Sequence, residues 1–315
     1  MSGCRAFSAV GAVGAVIAFS ADWLHLREPF DLAARETAAA ALGLPGRLAR
    51  WRKQSSGQVL AVIDLACGHG ANLRALAPLL GGAQHWRLVD HDPALLAAVP
   101  DALAEWARRH GYRFMREGGA GAEQSLDIAG PDFHAQVACQ RVDLARDLAS
   151  LDFGSAPLVT ASALLDLVSA PWLQALIDKA RAARAALVFG LTVDGRTAWN
   201  PADPDDALVH ELFSQHQRRD KGFGPALGSQ ASAIALKQMA CADYDTLQTQ
   251  TDWVIDGALA PQMQRAMVDG MAAAALEQEP AAHVAVRSWR ARRGADIGNA
   301  RLRVGHVDIV ATPSS

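Results

Sequence analysis

The sequence is poor in cysteine, with four among its 315 residues. These are Cys4, Cys67, Cys139 and Cys241, and no two of them stand at a spacing typical of zinc ligands. The same scatter argues against a disulfide framework and is typical of proteins from a reducing compartment. We therefore predict no metal site, and a cytoplasmic protein.

An excess of charge of either sign is also lacking. The chain has 30 Lys and Arg residues against 33 Asp and Glu residues, a formal net charge of -3. Nothing in this balance predicts nucleic acid or an anionic membrane surface as the partner. A hydrophobic fraction of 50% and a charged fraction of 20% are ordinary for a globular enzyme.

A hydrophobic run long enough to cross a membrane is missing too. The apolar segment AFSAVGAVGAVIAFSA near the N-terminus is too short to span a bilayer. It resembles a signal peptide with a small-residue cleavage site at Phe19, Ser20 and Ala21, and the alternative is an N-terminal extension. We predict an extension over residues 1–21, followed by a single domain over residues 22–315.

Apolar runs of strand length alternate with helical patterns between residues 59 and 193. The run VLAVIDL at residues 59–65 is apolar except for one acid, as expected for a strand covered on both faces. Such alternation predicts a parallel, doubly wound α/β sheet. After Val193 the pattern becomes polar and helical, so we predict a helical cap inserted at about residues 197–240. A final strand, RLRVGHVDIVATP, closes the chain.

A glycine-rich loop follows the first predicted strand, in the segment IDLACGHGANL. Gly68 and Gly70 allow the backbone to approach a ligand closely. A dinucleotide site would require a third glycine, which this loop lacks, and the carboxylate of Asp64 would repel a pyrophosphate at the helix N-terminus. The same carboxylate suits a ligand with a cationic amino group, such as the methionine moiety of S-adenosylmethionine.

The segment VIDLACGHGANL resembles the first motif of the class I S-adenosylmethionine-dependent methyltransferases, acid-x-Gly-x-Gly-x-Gly, with Ala66 in place of the first glycine. WRLVDHDPALL resembles the second strand of that family, whose terminal acid, here Asp90, holds the ribose hydroxyls. QRVDLA resembles the segment that meets the adenine, and TASALLDLVS resembles the fourth strand and its exit toward the transferred methyl group.

The resemblance implies a doubly wound, seven-stranded, mostly parallel sheet of Rossmann-like methyltransferase type, whose last strand, within VGHVDIVATP, is antiparallel. It also implies S-adenosylmethionine as the cofactor. The cofactor-binding residues predicted in this way are Asp64, Ala66, Gly68, Gly70, Asn72, Asp90, His91, Asp143, Leu144 and Ser162.

Two residues are candidates for catalysis, because an oxygen or nitrogen nucleophile can require a base. Asp166 follows the fourth strand, where it would contact the substrate; the alternative is a helix cap or a structural hydrogen bond. His216 lies in the predicted cap, four residues before Asp220, so on a helix the carboxylate could orient the imidazole. The alternative for this segment is a solvated, charged helix end.

Three further residues lie near the predicted cofactor site. In similar enzymes the leading segment often covers the cofactor, so that Arg27 or Arg35 would meet the methionine carboxylate. A surface ion pair is the alternative for either arginine. His69 lies inside the glycine loop, either beside the cofactor or facing solvent.

An arginine-rich segment near the C-terminus, VRSWRARRGADIGNARLRVGH, would suit a nucleic-acid substrate. The residues after the fourth strand, however, read Ser-Ala-Leu-Leu from Ser162, where adenine- and glutamine-modifying relatives carry an Asn-Pro-Pro-Tyr type motif. We predict methyl transfer to oxygen or nitrogen of a small molecule, with neither nucleic acid nor membrane as the partner. The alternatives are an RNA or protein methyltransferase that uses the arginine-rich segment, and a non-catalytic S-adenosylmethionine-binding protein. No oligomeric state is predicted.

Overall fold

The structure is a computed structural model that describes residues 21–54, 59–117 and 125–314. Residues 1–20 of the predicted N-terminal extension lie outside the described residues. The helices are α1 (Ala21–Ala41), α2 (Leu44–Gln54), α3 (Ala71–Leu80), α4 (Pro93–His110), α5 (Leu144–Asp147), α6 (Ala170–Ala182), α7 (Asp206–Gln217), α8 (Ala231–Cys241), α9 (Pro261–Gln278) and α10 (His283–Ala295). The strands are β1 (Leu60–Leu65), β2 (Gly82–Asp90), β3 (Arg113–Glu117), β4 (Ser125–Ala129), β5 (Phe133–Arg141), β6 (Leu158–Ser162), β7 (Ala186–Asn200), β8 (Tyr244–Gln250), β9 (Trp253–Asp256) and β10 (Arg301–Pro313).

One sheet organises the molecule, and seven of its strands follow the order β5-β2-β1-β6-β7-β10-β8. Strands β5, β2, β1, β6 and β7 are parallel neighbours, whereas β10 runs antiparallel to β7 on one side and to β8 on the other. The predicted fold, a doubly wound and mostly parallel sheet with an antiparallel last strand, is confirmed. The sheet has ten strands rather than seven, because β3 and β4 extend one edge and β9 pairs with β10.

Strand β4 lies in a stretch, residues 118–130, that its glycine and alanine content suggests is a loop. Residues 118–124 of this stretch are outside the described residues, but Ser125–Ala129 pairs antiparallel with both β3 and β5. Leu126 and Ile128 are buried while their neighbours are more exposed, which is the alternation of a half-buried strand. Composition alone concealed this short pattern.

The carboxyl ends of the central strands place the candidate site. Strand β1 is apolar because it is covered on both faces, by α3 and α4 on one side and by α6 and α8 on the other. After β1 the chain adds strands in one direction (β2, β5), and from β6 onward it adds them in the other. Ligands of open α/β sheets bind at such a switch point, outside the carboxyl ends of the strands.

The predicted cap segment, residues 197–240, is divided between two layers. Helix α7 packs with α9 and α10 around a third hydrophobic cluster that includes Trp199, Met267 and Trp289. Helix α8 instead packs on the main sheet, because Ala231, Ala235 and Met239 recur every four residues and form one buried face. We call α7, α9 and α10 the helical layer.

Helix α1 crosses the glycine loop. It packs against α3 on one side and against β7 and β9 on the other. A side chain added at Gly68 would begin 3.5 Å from Leu24 Cδ1, and Glu28 forms an ion pair with Arg74 of α3. In the part of the chain that the structure describes, no helix has the length and apolar character needed to cross a membrane.

Candidate functional site

The backbone of the loop between β1 and α3 turns through left-handed conformations. Ala66, Gly68 and Gly70 have φ values of 51, 56 and 82°, so every second residue is left-handed. Ala66 adopts this conformation without the freedom of glycine, and such backbone strain is found mostly at functional sites. Gly70 immediately precedes α3, whose first N–H groups point toward the mouth of the loop.

Asp64 is completely buried at the end of β1. Its Oδ1 accepts a hydrogen bond of 2.8 Å from Asn72 Nδ2, which also donates to Thr160 Oγ1 at 2.9 Å. Its Oδ2 has no hydrogen-bond partner among the described residues. Burial raises the pKa of Asp64 to about 7, against the opposing effects of the Asn72 hydrogen bond and the positive charge of Arg35.

Asp90 ends β2 and is tied to the glycine loop. Its Oδ2 accepts a hydrogen bond from the Gly68 N–H at 2.9 Å, and its Oδ1 accepts one from the Asp92 N–H at 3.0 Å. His91 Nδ1 lies 3.3 Å from the same Oδ1, with the ring partly exposed. Each carboxylate oxygen can accept more than one hydrogen bond, so Asp90 keeps capacity for two further donors.

Asp143 and Leu144 follow β5 and lie beside Asp90, whose carbonyl accepts a hydrogen bond of 2.9 Å from the Val142 N–H. The Asp143 carboxylate caps α5 by accepting from the Ala145 N–H at 3.1 Å. Leu144 is buried, and its carbonyl accepts from Trp172 Nε1 at 2.7 Å. The predicted adenine segment is therefore built around a short helix.

Arg35 reaches the site from α1. Its Nη1 donates to the Ala71 carbonyl at 2.9 Å and its Nη2 donates to Ser162 Oγ at 2.6 Å, while its Nε is buried without a partner among the described residues. Burial lowers the pKa of this guanidinium, and the charges of Asp31, Asp308 and Asp64 oppose that effect. Both of its hydrogen-bond acceptors are neutral, so the charge of Arg35 is not neutralised by direct contact.

Arg27, the other arginine that the sequence singled out, is differently placed. It forms an ion pair with Asp31 at 2.9 Å, and its guanidinium lies 5.0 Å from the centre of the Trp253 ring. Both partners of this ion pair are buried. Arg27 therefore forms an ion pair, which was the alternative to contact with the methionine carboxylate, although the pair is buried rather than on the surface.

His69 lies partly buried between α1 and α3. Its Nδ1 is 3.3 Å from Arg74 Nη2, and its carbonyl accepts from Arg74 Nη1 at 3.0 Å. Burial lowers the pKa of His69, and the neighbouring charge of Arg74 acts in the same direction. The ring is thus held in the contact between the two helices.

Asp166 is buried four residues after the end of β6. Its Oδ1 has no hydrogen-bond partner within the described part of the chain. Burial raises the pKa of Asp166 to about 6, while the backbone N–H groups of Asp166 and Val193 and the charge of Arg27 lower it. A carboxylate with this pKa is ionised at neutral pH and can still accept a proton.

His216 is buried in the helical layer, and the predicted pairing with Asp220 is wrong. Helix α7 ends at Gln217, so the two residues do not share a helical face. Asp220 Oδ1 accepts from the N–H groups of Gly222 (2.7 Å) and Gly224 (3.0 Å), while His216 Nε2 lies 3.3 Å from Glu277 Oε2. Burial lowers the pKa of His216, and its charged neighbours are Lys221, Glu277 and Arg219.

Two residues that contribute to the candidate site, Thr160 and Phe223, were not predicted from the sequence. Thr160 completes the hydrogen bonds around Asn72, and its only signal is a polar residue within the apolar run LVTAS. Phe223, in the glycine-flanked segment after α7, packs edge-on against Trp172 with the ring centres 5.1 Å apart. Since Trp172 donates to the Leu144 carbonyl, this contact links the segment after α7 to the start of α5.

Metal ligands are not assembled anywhere in residues 21–54, 59–117 and 125–314: no group of three or more His, Cys, Asp or Glu side chains there could hold an ion.

The strand order and the loop after β1 are those of a Rossmann-like, doubly wound α/β fold, which is the fold that the resemblance of the sequence implies. No protein-family model and no curated protein matches the sequence. Solved structures with similar folds include the YcgJ protein from Bacillus subtilis, at 11% identity and a TM-score of 0.44, covering 84% of this chain and 97% of that one.

Two other similar structures have named activities. An O-methyltransferase family protein from Burkholderia thailandensis has 15% identity and a TM-score of 0.43, with 93% of this chain and 58% of that one covered. A geranyl diphosphate C-methyltransferase from Streptomyces coelicolor has 12% identity and a TM-score of 0.36, with coverage of 84% and 79% respectively. Likenesses this distant carry no argument about the activity or substrate of this chain, which must come from the site.

Proposed function

We propose that the chain binds S-adenosylmethionine at the carboxyl ends of β1, β2 and β6 and transfers its methyl group to oxygen or nitrogen of a small molecule. The observation that carries the proposal is a buried carboxylate and a partly buried guanidinium, of opposite charge, beside the start of α3. Asp64 accepts a hydrogen bond from Asn72, and Arg35 donates one to the carbonyl of the adjacent residue, Ala71. Each retains a buried polar atom without a partner among the described residues, Asp64 Oδ2 and Arg35 Nε.

This pair fits an amino acid moiety, because a zwitterion presents an ammonium to a carboxylate and a carboxylate to a guanidinium. Buried polar atoms are rarely left without partners, and exceptions call for a ligand or another explanation. A dinucleotide would instead bring its pyrophosphate toward Asp64, where like charges repel. The donor set thus favours the methionine part of S-adenosylmethionine over a pyrophosphate.

The remaining residues divide the proposed site along its length. Asp90 and His91 would hold the ribose hydroxyls, and Asp143 with the backbone of Leu144 would meet the adenine. Asn72 and Ser162 would orient the two charged side chains that they contact. The backbone of the glycine loop would run along the ligand between its amino acid and adenine ends. The full set of proposed cofactor-binding residues is Asp64, Ala66, Gly68, Gly70, Asn72, Asp90, His91, Asp143, Leu144 and Ser162.

The bound cofactor supplies an electrophilic methyl group on a sulfonium. The protein must align the acceptor with that group and exclude water, and both tasks fall to the residues after β6 and to α1 above the loop. Asp166 is our candidate base: its unpartnered Oδ1 would take the proton that the O–H or N–H of the acceptor loses. His216 lies in the helical layer with Glu277, and nothing in its contacts connects it to this step.

A nucleic-acid or protein substrate is not supported by the arginine-rich segment. Five of its six arginines, all but Arg287, lie within ion-pair distance of an aspartate: Arg290, Arg292, Arg293, Arg301 and Arg303. Their charge is therefore already compensated within the chain. We place the activity in the cytoplasm, because Cys67, Cys139 and Cys241 are free thiols and the cofactor is a cytosolic metabolite.

The test is thermal unfolding with S-adenosylmethionine, its demethylated product, or NAD⁺. A ligand at about 100 times its Kd should stabilise the protein by about 2.7 kcal/mol. S-adenosylmethionine and its demethylated product should both raise the Tm of the wild type, and the Tm of Asp90→Ala should rise much less. Asp92→Ala is the matched control, since Asp92 only caps α4 and its loss should lower the Tm without changing the response to ligand. A response to NAD⁺ alone would overturn the proposal.

Turnover is tested separately, by formation of the demethylated product in the presence of mixed small alcohols, phenols and amines. Asp166→Asn should reduce the rate by about 10²- to 10⁴-fold, the usual contribution of a general base, while keeping the thermal response to cofactor. Cofactor binding without turnover on any class of acceptor would favour the non-catalytic alternative. Turnover that requires RNA or protein would favour the RNA or protein methyltransferase alternative.

A further inference from the structure

A groove runs between the last two helices of the helical layer, with a volume of about 260 Å³. We call it the α9–α10 groove. It is lined by Arg265, Val268, Asp269, Arg287, Arg290, Ala291, Gly294 and Ile297. All of these belong to α9, α10 or the turn that follows α10, and none belongs to the proposed cofactor site.

The positive charge that lines the groove is only partly compensated. Its lining has three guanidinium groups and one carboxylate, Asp269, which pairs with Arg290 at 2.7 Å. Arg265 and Arg287 are exposed and have no ion pair with any residue that the structure describes. The five arginines from Arg290 to Arg303 are all paired with aspartates. Of the seven arginines between residues 265 and 303, the two without an ion pair therefore both line this groove.

The shape of the groove limits its ligand. Val268 is buried in its floor, and Ala291 and Ile297 add apolar surface beside the charges. Its volume is below the range of about 300 to 1,000 Å³ that is typical of sites for drug-sized ligands. The groove therefore suits a small ligand that combines an anionic group with a short apolar part.

We propose that the α9–α10 groove binds a small phosphate monoester. A dianionic phosphate can accept forked hydrogen bonds from Arg265 and Arg287, one from each helix, and guanidinium groups match phosphate geometry. Asp269 holds Arg290 at the side of the groove and leaves a local charge that still attracts an anion. The apolar floor then contacts the organic part of the ester. This site is independent of the proposed methyl transfer.

Gly294 provides a test that leaves every charge in place. A Cβ added there would have no atom of another part of the chain within 4 Å, so we expect Gly294→Leu to fold and to place its side chain in the groove. Gly270→Leu is the matched control: Gly270 lies on α9, is equally free of neighbours and is not part of the groove lining.

The experiment is calorimetric titration with phenyl phosphate at constant ionic strength, with phenol and inorganic phosphate as comparison ligands. The wild type should bind phenyl phosphate saturably, and more tightly than either comparison ligand. Arg265→Gln and Arg287→Gln should each weaken binding by about 10- to 100-fold, as expected for a lost charged hydrogen bond. Gly294→Leu should abolish binding, whereas Gly270→Leu and Arg301→Gln should retain it.

The proposal is overturned if the wild type shows no saturable binding, or if Gly294→Leu binds like Gly270→Leu. An equal loss in Arg301→Gln would also overturn it, since it would indicate a general effect of charge. The thermal response to S-adenosylmethionine, measured on the same variants, distinguishes failure of this site from failure of the proposed cofactor site.

Discussion

Two arginines, the partly buried Arg35 and the fully buried Arg293, have opposite surroundings. Arg293 is 3% exposed, forms an ion pair with Asp206, donates to the Pro201 carbonyl and lies 4.4 Å from the centre of the Trp199 ring. Arg35 donates only to a carbonyl and a hydroxyl, and its Nε is left without a partner among the described residues. The charge of Arg293 is compensated within the fold, whereas Arg35 has no ion pair with any residue that the structure describes.

The same contrast separates the regions around them. In the helical layer, Asp206 also accepts hydrogen bonds from Trp289 Nε1 and the Asp203 N–H, and Arg292 pairs with Asp203 and Asp205. Around the glycine loop, by contrast, a carboxylate is buried at a cost and the backbone is strained at Ala66. Functional sites commonly sacrifice stability in this way, so the two regions should respond differently to substitution.

The largest expected loss of stability is for Asp206→Ala. It leaves the Arg293 guanidinium buried and unpaired, and breaking a buried ion pair from one side typically costs about 3 to 5 kcal/mol. Urea denaturation measures the free energy of unfolding. The control is Arg292→Gln, which removes an exposed partner of the neighbouring aspartates and should cost far less. Equal losses in the two variants would remove the distinction between the buried and exposed pairs.

The next effect has the opposite sign. Asp64 has its pKa raised from 3.8 to about 7 in the folded protein, so the folded state holds a proton that the unfolded chain has released between those values. Stability should therefore fall as the pH rises from about 4 to about 7. Asp64→Asn should relieve this penalty, raising the free energy of unfolding at pH 8 by up to about 4 kcal/mol.

The same variant should lose cofactor affinity, because the ammonium then has no carboxylate to meet. Unfolding measured from pH 4 to pH 8, with and without S-adenosylmethionine, checks both effects. Asp132→Asn, at an exposed carboxylate, is the control and should follow the wild type. A variant with unchanged stability at pH 8 would show that Asp64 carries no burial penalty.

A smaller effect separates two glycines. Gly70 has a φ of 82°, and a left-handed conformation costs a residue with a side chain about 1 to 2 kcal/mol, so Gly70→Ala should destabilise the protein by that amount. Gly270 lies inside α9 with no atom near a would-be side chain, so Gly270→Ala should stabilise by about 0.5 to 1 kcal/mol. Thermal unfolding of the pair gives the comparison directly, and a shift in the same direction for both would contradict it.

The smallest expected change in stability is for Arg35→Gln, since this residue has only neutral hydrogen-bond partners. Its effect on cofactor affinity should be large, about 10- to 100-fold, as a charged hydrogen bond is lost. Calorimetric titration with S-adenosylmethionine measures that affinity, and Arg35→Lys should recover part of it. If affinity is unchanged, the carboxylate of the ligand does not depend on Arg35.

The parts of the fold that could be predicted from the sequence are those that depend on local patterns. The apolar run that ends at Asp64 and the one that ends at Asp90 place both acids at strand ends, and parallel strands bring those ends together. The expectation of seven strands with an antiparallel last strand came from the resemblance rather than from periodicity. The roles of individual site residues remain predictions.

Long-range contacts explain what local patterns could not provide. His216 finds its partner at Glu277 in another helix, because α7 ends before Asp220. Arg292 and Arg293 of α10 pair with Asp203, Asp205 and Asp206, about 90 residues earlier in the chain. Arg27 and Arg35 belong to one helix, and only the packing of that helix decides which of them reaches Ser162.

Helix α1 is attached firmly above the glycine loop. Leu24 lies against Gly68, Glu28 is bound to Arg74, and Arg35 is bound to Ser162, so the helix is attached at three positions along its length. For a ligand bound as proposed, between the loop and α1, we expect these contacts to oppose release. We therefore expect slow exchange, with a dissociation rate that follows the opening of α1 rather than the affinity of the contacts around the ribose or adenine.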